Sequence, residues 1–257
     1  MSLILDEIPG SAGAVYVAFG KQYCRAAAAS AASLREYTDL PIHVLTNIAV
    51  KKRRGIWPDR VTWEVFDLPD EENRAVRTQI YEHSPFDCTL HLDADTIIKS
   101  SSVAMPLYYL RYWDLVTVGY RHIGRNTTAG AWGKLRKNLQ EPYHFSICGG
   151  LLWFAKTPGA KALFENWHSF WVEDGKERDM PALFRALWET PSCRAWILPG
   201  ENKWIGRLEG YVRHAPGKRI PGLPGIQKLK PNAIDADGNR KWVLVTKRGA
   251  CVHKEDR

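Results

Sequence analysis

The first half of the chain alternates short apolar runs with segments of helical propensity. The alanine-rich segment YCRAAAASAASLREY favours a helix, and a second helix is predicted from Asp70 to His83. Strands are predicted for the apolar runs AVYVAF at 14–19, IHVLT at 42–46 and VTWEVF at 61–66. Alternating strands and helices are typical of a three-layer α/β fold with a mixed, mainly parallel sheet.

The second half predicts two more strands and two more helices, with an irregular segment among them. The strands are DLVTVG at 114–119 and CGGLLWFAK at 148–156, and the helices are Pro158 to Val172 and Met180 to Trp188. Residues 120–147 are basic and lack a clear period, which predicts an active-site loop. No linker divides residues 14–200, so we predict one main domain, 1–218, and a basic C-terminal extension, 219–257.

Two aspartates separated by one alanine interrupt the strand predicted from Leu90 to Ile98. Residues two apart share a face of a strand, so Asp93 and Asp95 are predicted to point the same way. Such carboxylates repel one another unless a cation lies between them. Mg²⁺ and Mn²⁺ take oxygen ligands and keep positions for phosphate. On spacing alone, a metal site and ordinary turn chemistry after a strand both remain open.

The same tripeptide occurs again near the C-terminus. Asp235-Ala236-Asp237 continues into Gly238-Asn239 and the β-like run KWVLVT. Asp-Gly between strand-like segments indicates a hairpin. We therefore interpret the second copy as the turn of a hairpin, AIDADGNRKWVLVT, and the first copy as the candidate metal site.

Charge and cysteine content narrow the class of protein. The chain has 257 residues and a formal net charge of +8, and the segment from Tyr211 to the end contributes +7 of it, with eleven Lys or Arg against four Asp or Glu. Five widely spaced cysteines without a Cys-x-x-Cys pair favour a reducing cytoplasm over a disulfide framework or a zinc site. The chain has no signal-like start and no run of 18 apolar residues, so we expect a cytoplasmic protein without a membrane span.

Several catalytic classes are disfavoured because their motifs are missing from the sequence. The chain contains no G-x-G-x-x-G after its first strand, no G-x-x-x-x-G-K-[ST], no H-E-x-x-H and no G-x-S-x-G. A dinucleotide enzyme, a P-loop NTPase, a zincin and an α/β-hydrolase are therefore poor fits.

Seven segments, in order, resemble the nucleotide-sugar glycosyltransferases of the GT-A fold, especially family eight. The resemblance covers roughly residues 14–218 and implies a GT-A, Rossmann-like fold. The segments are VYVAFGKQY, HVLTN, AVRTQIYEHSPFDCTLHLDADT, CGGLLWFAK, DMPAL, LPGENKW and HAPGK.

This resemblance assigns metal and phosphate ligands. In the family an Asp-x-Asp pair and a late histidine bind Mn²⁺ or Mg²⁺, and the matching residues are Asp93, Asp95 and His214. Lys218 matches a lysine that touches the donor phosphate, and Arg77 lies where the family has an arginine that contacts the donor.

The resemblance also implies sugar and nucleobase contacts. Asp179 matches an aspartate that positions or activates sugar hydroxyls, so Asp179 and Asp95 are the candidate catalytic residues. The loop from Ala18 to Tyr23 resembles the nucleobase side, where Tyr23 would stack on the base or pack structurally. Trp204 is the candidate for contact with an acceptor, whereas Trp153, Trp167, Trp171 and Trp188 are predicted to be structural.

The chain departs from the family pattern at three positions. Gly20 replaces a frequent acidic residue, which weakens the assignment of uracil as the base. Cys148-Gly149-Gly150 replaces Asn-[Ser/Ala]-Gly, and Met180 replaces a glutamine. A thioether can act neither as the sugar-binding amide nor as a nucleophile.

The resulting expectation is a metal-dependent transferase that moves a hexose from a nucleotide-sugar, UDP-linked by preference, to a hydroxyl of a glycan, lipid or small-molecule acceptor. Retention of configuration is implied by the resemblance alone. A sugar-phosphate nucleotidyltransferase and a nucleic-acid-binding module that uses the basic tail are the alternatives, and nucleic acid is the less favoured partner. The tail is predicted either to bind the acceptor or the inner membrane surface, or to pack as a hairpin that keeps the protein soluble.

Overall fold

A computed structural model of the chain describes residues 8–49, 57–121, 145–198, 204–206 and 210–214, and the backbone alone of 241–245 and 251–255. These residues contain twelve strands and five α-helices. The strands are β1 (Ala12–Val17), β2 (Ile42–Thr46), β3 (Val61–Val65), β4 (Cys88–Leu92), β5 (Thr96–Ile98), β6 (Leu115–Arg121), β7 (Phe145–Ala155), β8 (Ala195–Leu198), β9 (Ile205–Gly206), β10 (Val212–His214), β11 (Lys241–Val245) and β12 (Cys251–Glu255). The helices are α1 (Gly20–Arg35), α2 (Asn73–Thr78), α3 (Ile80–His83), α4 (Pro158–Glu173) and α5 (Asp179–Glu189), with 3₁₀ turns at Asp70–Glu72 and Ser101–Arg111.

Seven strands form one mixed, mostly parallel sheet in the order β3-β2-β1-β4-β7-β6-β8. β2 and β3 are parallel, as are β6 and β8, whereas β7 runs antiparallel to both β4 and β6. Two smaller sheets have the orders β5-β10-β9 and β11-β12. The predicted α/β class and the mixed, mainly parallel sheet are thus confirmed.

Burial explains why the apolar runs form these strands. Every residue of β2 and β4 is buried, including the polar residues His43 and Thr46 of β2 and Thr89 and His91 of β4. β3, at the edge of the sheet, contains no buried residue. Helix α1 buries small side chains, since Ala26, Ala27, Ala28 and Ala31 are at most 2% exposed, and small residues permit close packing against neighbouring elements.

The helix predicted from Asp70 to His83 is wrong as a single element, because it is a 3₁₀ turn followed by α2 and α3, with a break at Gln79. The side chains around the break have other partners. Thr78 Oγ1 donates to the carbonyl oxygen of Ala75 and contacts His168 Nδ1, and Gln79 Nε2 contacts His168 Nε2. Side-chain bonds of this kind compete with a continuous helical ladder.

The strand pairing near the C-terminus also differs from the predicted hairpin. The strand Lys241–Val245 forms as expected, but its antiparallel partner is the downstream strand Cys251–Glu255. Residues 235–237, the predicted turn, lie outside the described residues. Trp188, predicted to be structural, is 61% exposed on α5, whereas Trp153, Trp167 and Trp171 are buried as predicted.

The chain divides into two compact units. The first unit comprises 1–15, 71–92 and 104–201, and the second comprises 16–70, 93–103 and 202–257. The predicted division into a main domain and an extension after residue 218 stays a prediction. Within the described part of the chain, no helix has the length and apolar character that crossing a bilayer would require.

Candidate active site

Three side chains able to bind a metal converge in the second unit. Asp93, Asp95 and His214 each offer one ligand atom, and these atoms all lie within 4.8 Å of one another. His214 Nε2 is 3.2 Å from Asp95 Oδ1 and 3.8 Å from Asp93 Oδ2. The side chains are only 14% to 23% exposed, so solvent screens their charges weakly.

A turn and a strand register bring these ligands together. The prediction that Asp93 and Asp95 lie in one continuous strand is wrong. Both residues lie in the turn between β4 and β5. Thr96 Oγ1 donates a 2.7 Å hydrogen bond to the carbonyl oxygen of Asp93 and closes this turn. β10 pairs antiparallel with β5 and sets His214 opposite Thr96. The turn and the metal site, which the spacing left as alternatives, are therefore compatible.

The donor set fits a divalent cation. Two carboxylates this close repel one another in a weakly screened place, and a divalent cation bound between them would offset that repulsion. Carboxylate oxygen suits Mg²⁺ and Mn²⁺, while imidazole nitrogen favours transition metals. Three protein ligands would leave coordination positions on such an ion for a substrate.

The loop after β1 is held by backbone and side-chain groups at the end of β2. Ala18 is fully buried. Its N–H donates a hydrogen bond to the carbonyl oxygen of Leu45, and its own carbonyl oxygen accepts one from Thr46 Oγ1. The N–H of Gly20, which has a φ of +77°, donates to Asn47 Oδ1 over 2.8 Å. Tyr23 is half-buried on α1. Donor contacts by Ala18 and Tyr23 stay predictions, and this conformation presents almost no surface of Ala18 to a ligand.

Asp70, which begins the 3₁₀ turn after β3, lies against this loop, and sequence reasoning did not single it out as a site residue. Asn47 Nδ2 donates to Asp70 Oδ1 over 2.8 Å, and a Cβ atom added to Gly20 would lie 2.3 Å from Asp70 Oδ2. The Asp70 carboxylate thus occupies the space that an acidic side chain at position 20 would enter. The contact joins residues fifty positions apart, so nothing in the local pattern indicates it.

In the first unit, two predicted site residues bind one another. Arg77 Nη1 lies 2.9 Å from Asp179 Oδ2, and the two side chains are 17% and 7% exposed. The contact is an ion pair without hydrogen-bond alignment, since Asp179 Oδ2 has no hydrogen-bond partner among the described residues. Asp179 begins α5, where the helix dipole favours a carboxylate, and its carbonyl oxygen accepts from Trp167 Nε1.

Gly149 and Met180 pack beside this pair. A Cβ atom at Gly149 would lie 2.3 Å from Met180 Sδ and 3.2 Å from Arg77 Nη2. The absence of a side chain at position 149 therefore lets the thioether and the guanidinium approach the strand. The two family departures, at Cys148-Gly149-Gly150 and at Met180, form one packed contact that their separate positions in sequence did not suggest.

Three predictions about the site need a correction or lie outside the described residues. Trp204 is 6% exposed and packs edge-to-face on Tyr211, with ring centroids 5.2 Å apart, so it is a packing residue rather than an open acceptor platform. Lys218 lies outside the described residues. So does most of the predicted loop, residues 122–144.

The fold matches solved glycosyltransferases, although no protein-family model and no curated protein matches the sequence. The galactosyltransferase LgtC, solved with donor and acceptor sugar analogues, aligns with a TM-score of 0.59 and 14% identity over 83% of this chain and 90% of its own. Mouse xyloside xylosyltransferase 1 aligns with a TM-score of 0.55 and 11% identity over 80% of this chain and 98% of its own. The bifunctional glycosyltransferase WbbM aligns with a TM-score of 0.56 and 12% identity over 87% of this chain and 48% of its own. At these identities the likeness establishes the fold, and the predicted GT-A fold is confirmed.

Proposed function

We propose that this protein is a metal-dependent glycosyltransferase that moves a hexose from a nucleotide-sugar to a hydroxyl of a glycan, lipid or small-molecule acceptor. The observation that supports it most is the convergence of Asp93, Asp95 and His214 within 4.8 Å in a chain with the GT-A fold. The matched structures include a galactosyltransferase and a xylosyltransferase, which supports sugar transfer as the reaction class.

The chemistry of the leaving group explains the need for these ligands. Departure of a nucleoside diphosphate develops negative charge on its oxygens, and a bound Mn²⁺ or Mg²⁺ supplies Lewis-acid stabilisation of that charge. Asp93, Asp95 and His214 would hold the ion by two oxygens and one nitrogen. Lys218 follows His214 by four residues and is proposed to bind the same diphosphate.

Asp179 is proposed to orient the transferred sugar. Its carboxylate is nearly buried and held by Arg77, while Oδ2 keeps unused capacity to accept a hydrogen bond from a sugar hydroxyl. This role for Arg77, as a partner of Asp179, differs from the contact with the donor that the family resemblance implies. Met180 offers no amide and no nucleophile, so no covalent sugar intermediate is proposed at that residue.

A uracil base is compatible with the loop after β1. Uracil, like guanine, presents a ring N–H that can donate a hydrogen bond to a carboxylate, whereas cytosine and adenine present an unprotonated ring nitrogen there. Asp70 supplies a carboxylate beside Gly20, so the glycine at position 20 counts less against UDP than the sequence suggested. UDP-hexose is the proposed donor class.

Asp95→Asn in the full chain is the direct test. The amide keeps the shape of the carboxylate but loses its charge, so we expect loss of Mn²⁺-dependent hydrolysis or transfer of UDP-sugars, with the unfolding temperature nearly unchanged. The matched control is Asp237→Asn in the second Asp-Ala-Asp, which should retain turnover. Full activity of Asp95→Asn in chelator would contradict the proposal, and pyrophosphate release from NTP and sugar phosphate would indicate a nucleotidyltransferase instead.

A further inference from the structure

Three fully buried hydroxyl groups form a connected row behind the candidate metal centre. They belong to Tyr16 on β1, Ser30 on α1 and Thr96 on β5, all within the second unit. Tyr16 Oη is 3.1 Å from Ser30 Oγ, and Ser30 Oγ is 2.7 Å from Thr96 Oγ1. Thr96 Oγ1 in turn donates over 2.7 Å to the carbonyl oxygen of Asp93.

The protons in this row have one consistent order. A hydroxyl has a single proton to donate, and that of Thr96 goes to Asp93. Thr96 must therefore accept from Ser30, and Ser30 must accept from Tyr16. Burial raises the pKa of the Tyr16 phenol, so the phenol keeps the proton that it donates.

A second serine ties the next part of β5 to the same helix. Ser33 Oγ accepts from the backbone N–H of Ile98 over 2.9 Å and donates to the carbonyl oxygen of Ser30 over 2.7 Å. β5 also pairs with β10, where Thr96 lies opposite His214. Thr96 is thus adjacent to both parts of the donor set: the turn that contains the aspartates, and the strand that contains the histidine.

We infer that Tyr16, Ser30 and Thr96 are positioning residues that fix the Asp93–Asp95 turn in its metal-binding geometry. The inference rests on the proposed metal site. Rotation of the peptide plane after Asp93 would redirect the carboxylates, and the Thr96 hydroxyl opposes that rotation. Each hydroxyl is buried, so breaking any one bond leaves a desolvated polar group and disturbs the whole row.

Direct titration of the full chain with Mn²⁺ alone, by calorimetry, tests this role without relying on turnover. Thr96→Val keeps the shape of the side chain and removes the hydroxyl, so the Mn²⁺ Kd should rise about tenfold or more, as for other groups that orient metal ligands. Thr96→Ser restores the hydroxyl and should bind Mn²⁺ nearly as tightly as the parent chain.

Thr89→Val is the matched control for a purely structural effect. Thr89 is fully buried on β4 in the first unit, and its hydroxyl is bonded to that of Ser84. This variant should lower the unfolding temperature while leaving the Mn²⁺ Kd unchanged. Parent-like Mn²⁺ binding by Thr96→Val, or equal weakening by Thr89→Val, would overturn the inference.

Ser30→Ala provides the test if Thr96→Val does not fold. It removes the donor to Thr96, so the Mn²⁺ Kd should rise severalfold, and an unchanged Kd would also overturn the inference. A parent chain that binds no Mn²⁺ would overturn the proposed metal site, and this inference with it. The two proposals can also fail separately. If the parent chain binds Mn²⁺ but no nucleotide-sugar, and Thr96→Val weakens Mn²⁺ binding while Thr89→Val does not, the positioning role is supported and the proposed transferase function is contradicted.

Discussion

At the scale of single residues, the buried carboxylate of Asp179 is held by the guanidinium of Arg77. Removal of Arg77 would leave that carboxylate without its charge partner at 7% side-chain exposure. Uncompensated buried charge is expensive, so we expect Arg77→Met to lower the free energy of unfolding by about 3 kcal/mol. Denaturant unfolding at pH 7 measures this loss.

Two comparisons make the Arg77 measurement decisive. Arg77→Met combined with Asp179→Asn should recover part of the stability, because the remaining amide is neutral. Lys161→Ala breaks an exposed pair with Glu165, whose side chains are 55% and 60% exposed, and should cost at most about 0.5 kcal/mol. A loss from Arg77→Met as small as that from Lys161→Ala would rule out a tight dependence of Asp179 on Arg77.

Asp70 gives a second prediction at this scale, about the choice of base. If its carboxylate accepts a hydrogen bond from the ring N–H of uracil, Asp70→Ala should weaken UDP binding by about tenfold to a hundredfold, since hydrogen bonds to charged groups contribute roughly 1.5–3 kcal/mol. Mn²⁺ binding in the absence of nucleotide should be unaffected. UDP titrations of Asp70→Ala and of the neighbouring control Asp67→Ala distinguish base recognition from a general change in surface charge, and equal effects would refute the assignment.

The separate site residues were more predictable than their contacts. Asp93 and Asp95 were singled out by their spacing and His214 by the family resemblance, and the structure brings the three side chains together. The Arg77–Asp179 pair and the position of Asp70 beside Gly20 depend on contacts between residues distant in sequence. Local patterns contain no information on such pairings, so Arg77 and Asp179 were each assigned to the donor and Asp70 was not singled out.

At the scale of elements, the apolar runs predicted most strands because burial on both faces leaves a clear signal. The break between α2 and α3 was missed because His168, on α4, competes for the side chains there. Thr78 Oγ1 gives its proton to Ala75, so it accepts from His168 Nδ1, and Nε2 is left to accept from Gln79. His168 is thus bonded as a neutral imidazole that links α4 to the α2–α3 junction.

This link predicts a pH dependence of stability. Burial, and then the charge of Lys176, lower the pKa of His168 below its usual 6.5. The unfolded chain therefore binds more protons than the folded chain just below pH 6.5, and the stabilising contribution of His168 is complete above that pH and lost as pH falls through the folded pKa. The free energy of unfolding should therefore decrease as the pH is lowered from 7.5 to 5.

His168→Gln identifies the source of this decline. The variant should be less stable at pH 7.5 but should show a shallower fall toward pH 5. His83→Gln, on α3, is the control for loss of a histidine elsewhere. If the parent chain and His168→Gln have parallel pH profiles, the decline arises from other groups.

At the scale of the whole molecule, charge is concentrated in one part of the chain. The segment from Tyr211 onward contributes +7 of the net +8, while the candidate metal ligands end at His214. We predict that the residues after Arg219 bind the acceptor or an anionic surface. Donor hydrolysis should persist in a folded truncation after Arg219, whereas transfer to the acceptor should fall and lose its dependence on salt.

The truncation has a clear opposing outcome. Equal loss of hydrolysis and transfer in a folded product would mean that the tail completes the donor site. Circular dichroism and the unfolding temperature of the truncated chain establish that it is folded. A titration of vesicles containing anionic lipid, at increasing salt, separates a membrane surface from a soluble acceptor.

The pairing of β5 with β10 also orders events during synthesis. The second unit is discontinuous, because residues 104–201 of the first unit are made after the aspartates and before His214. Contacts between such distant segments form late in folding, since a long loop must close first. A chain still on the ribosome, or one released early, would contain both aspartates without their histidine. All three candidate ligands are therefore present only after translation has passed β10, so metal binding at the proposed site would be deferred until then.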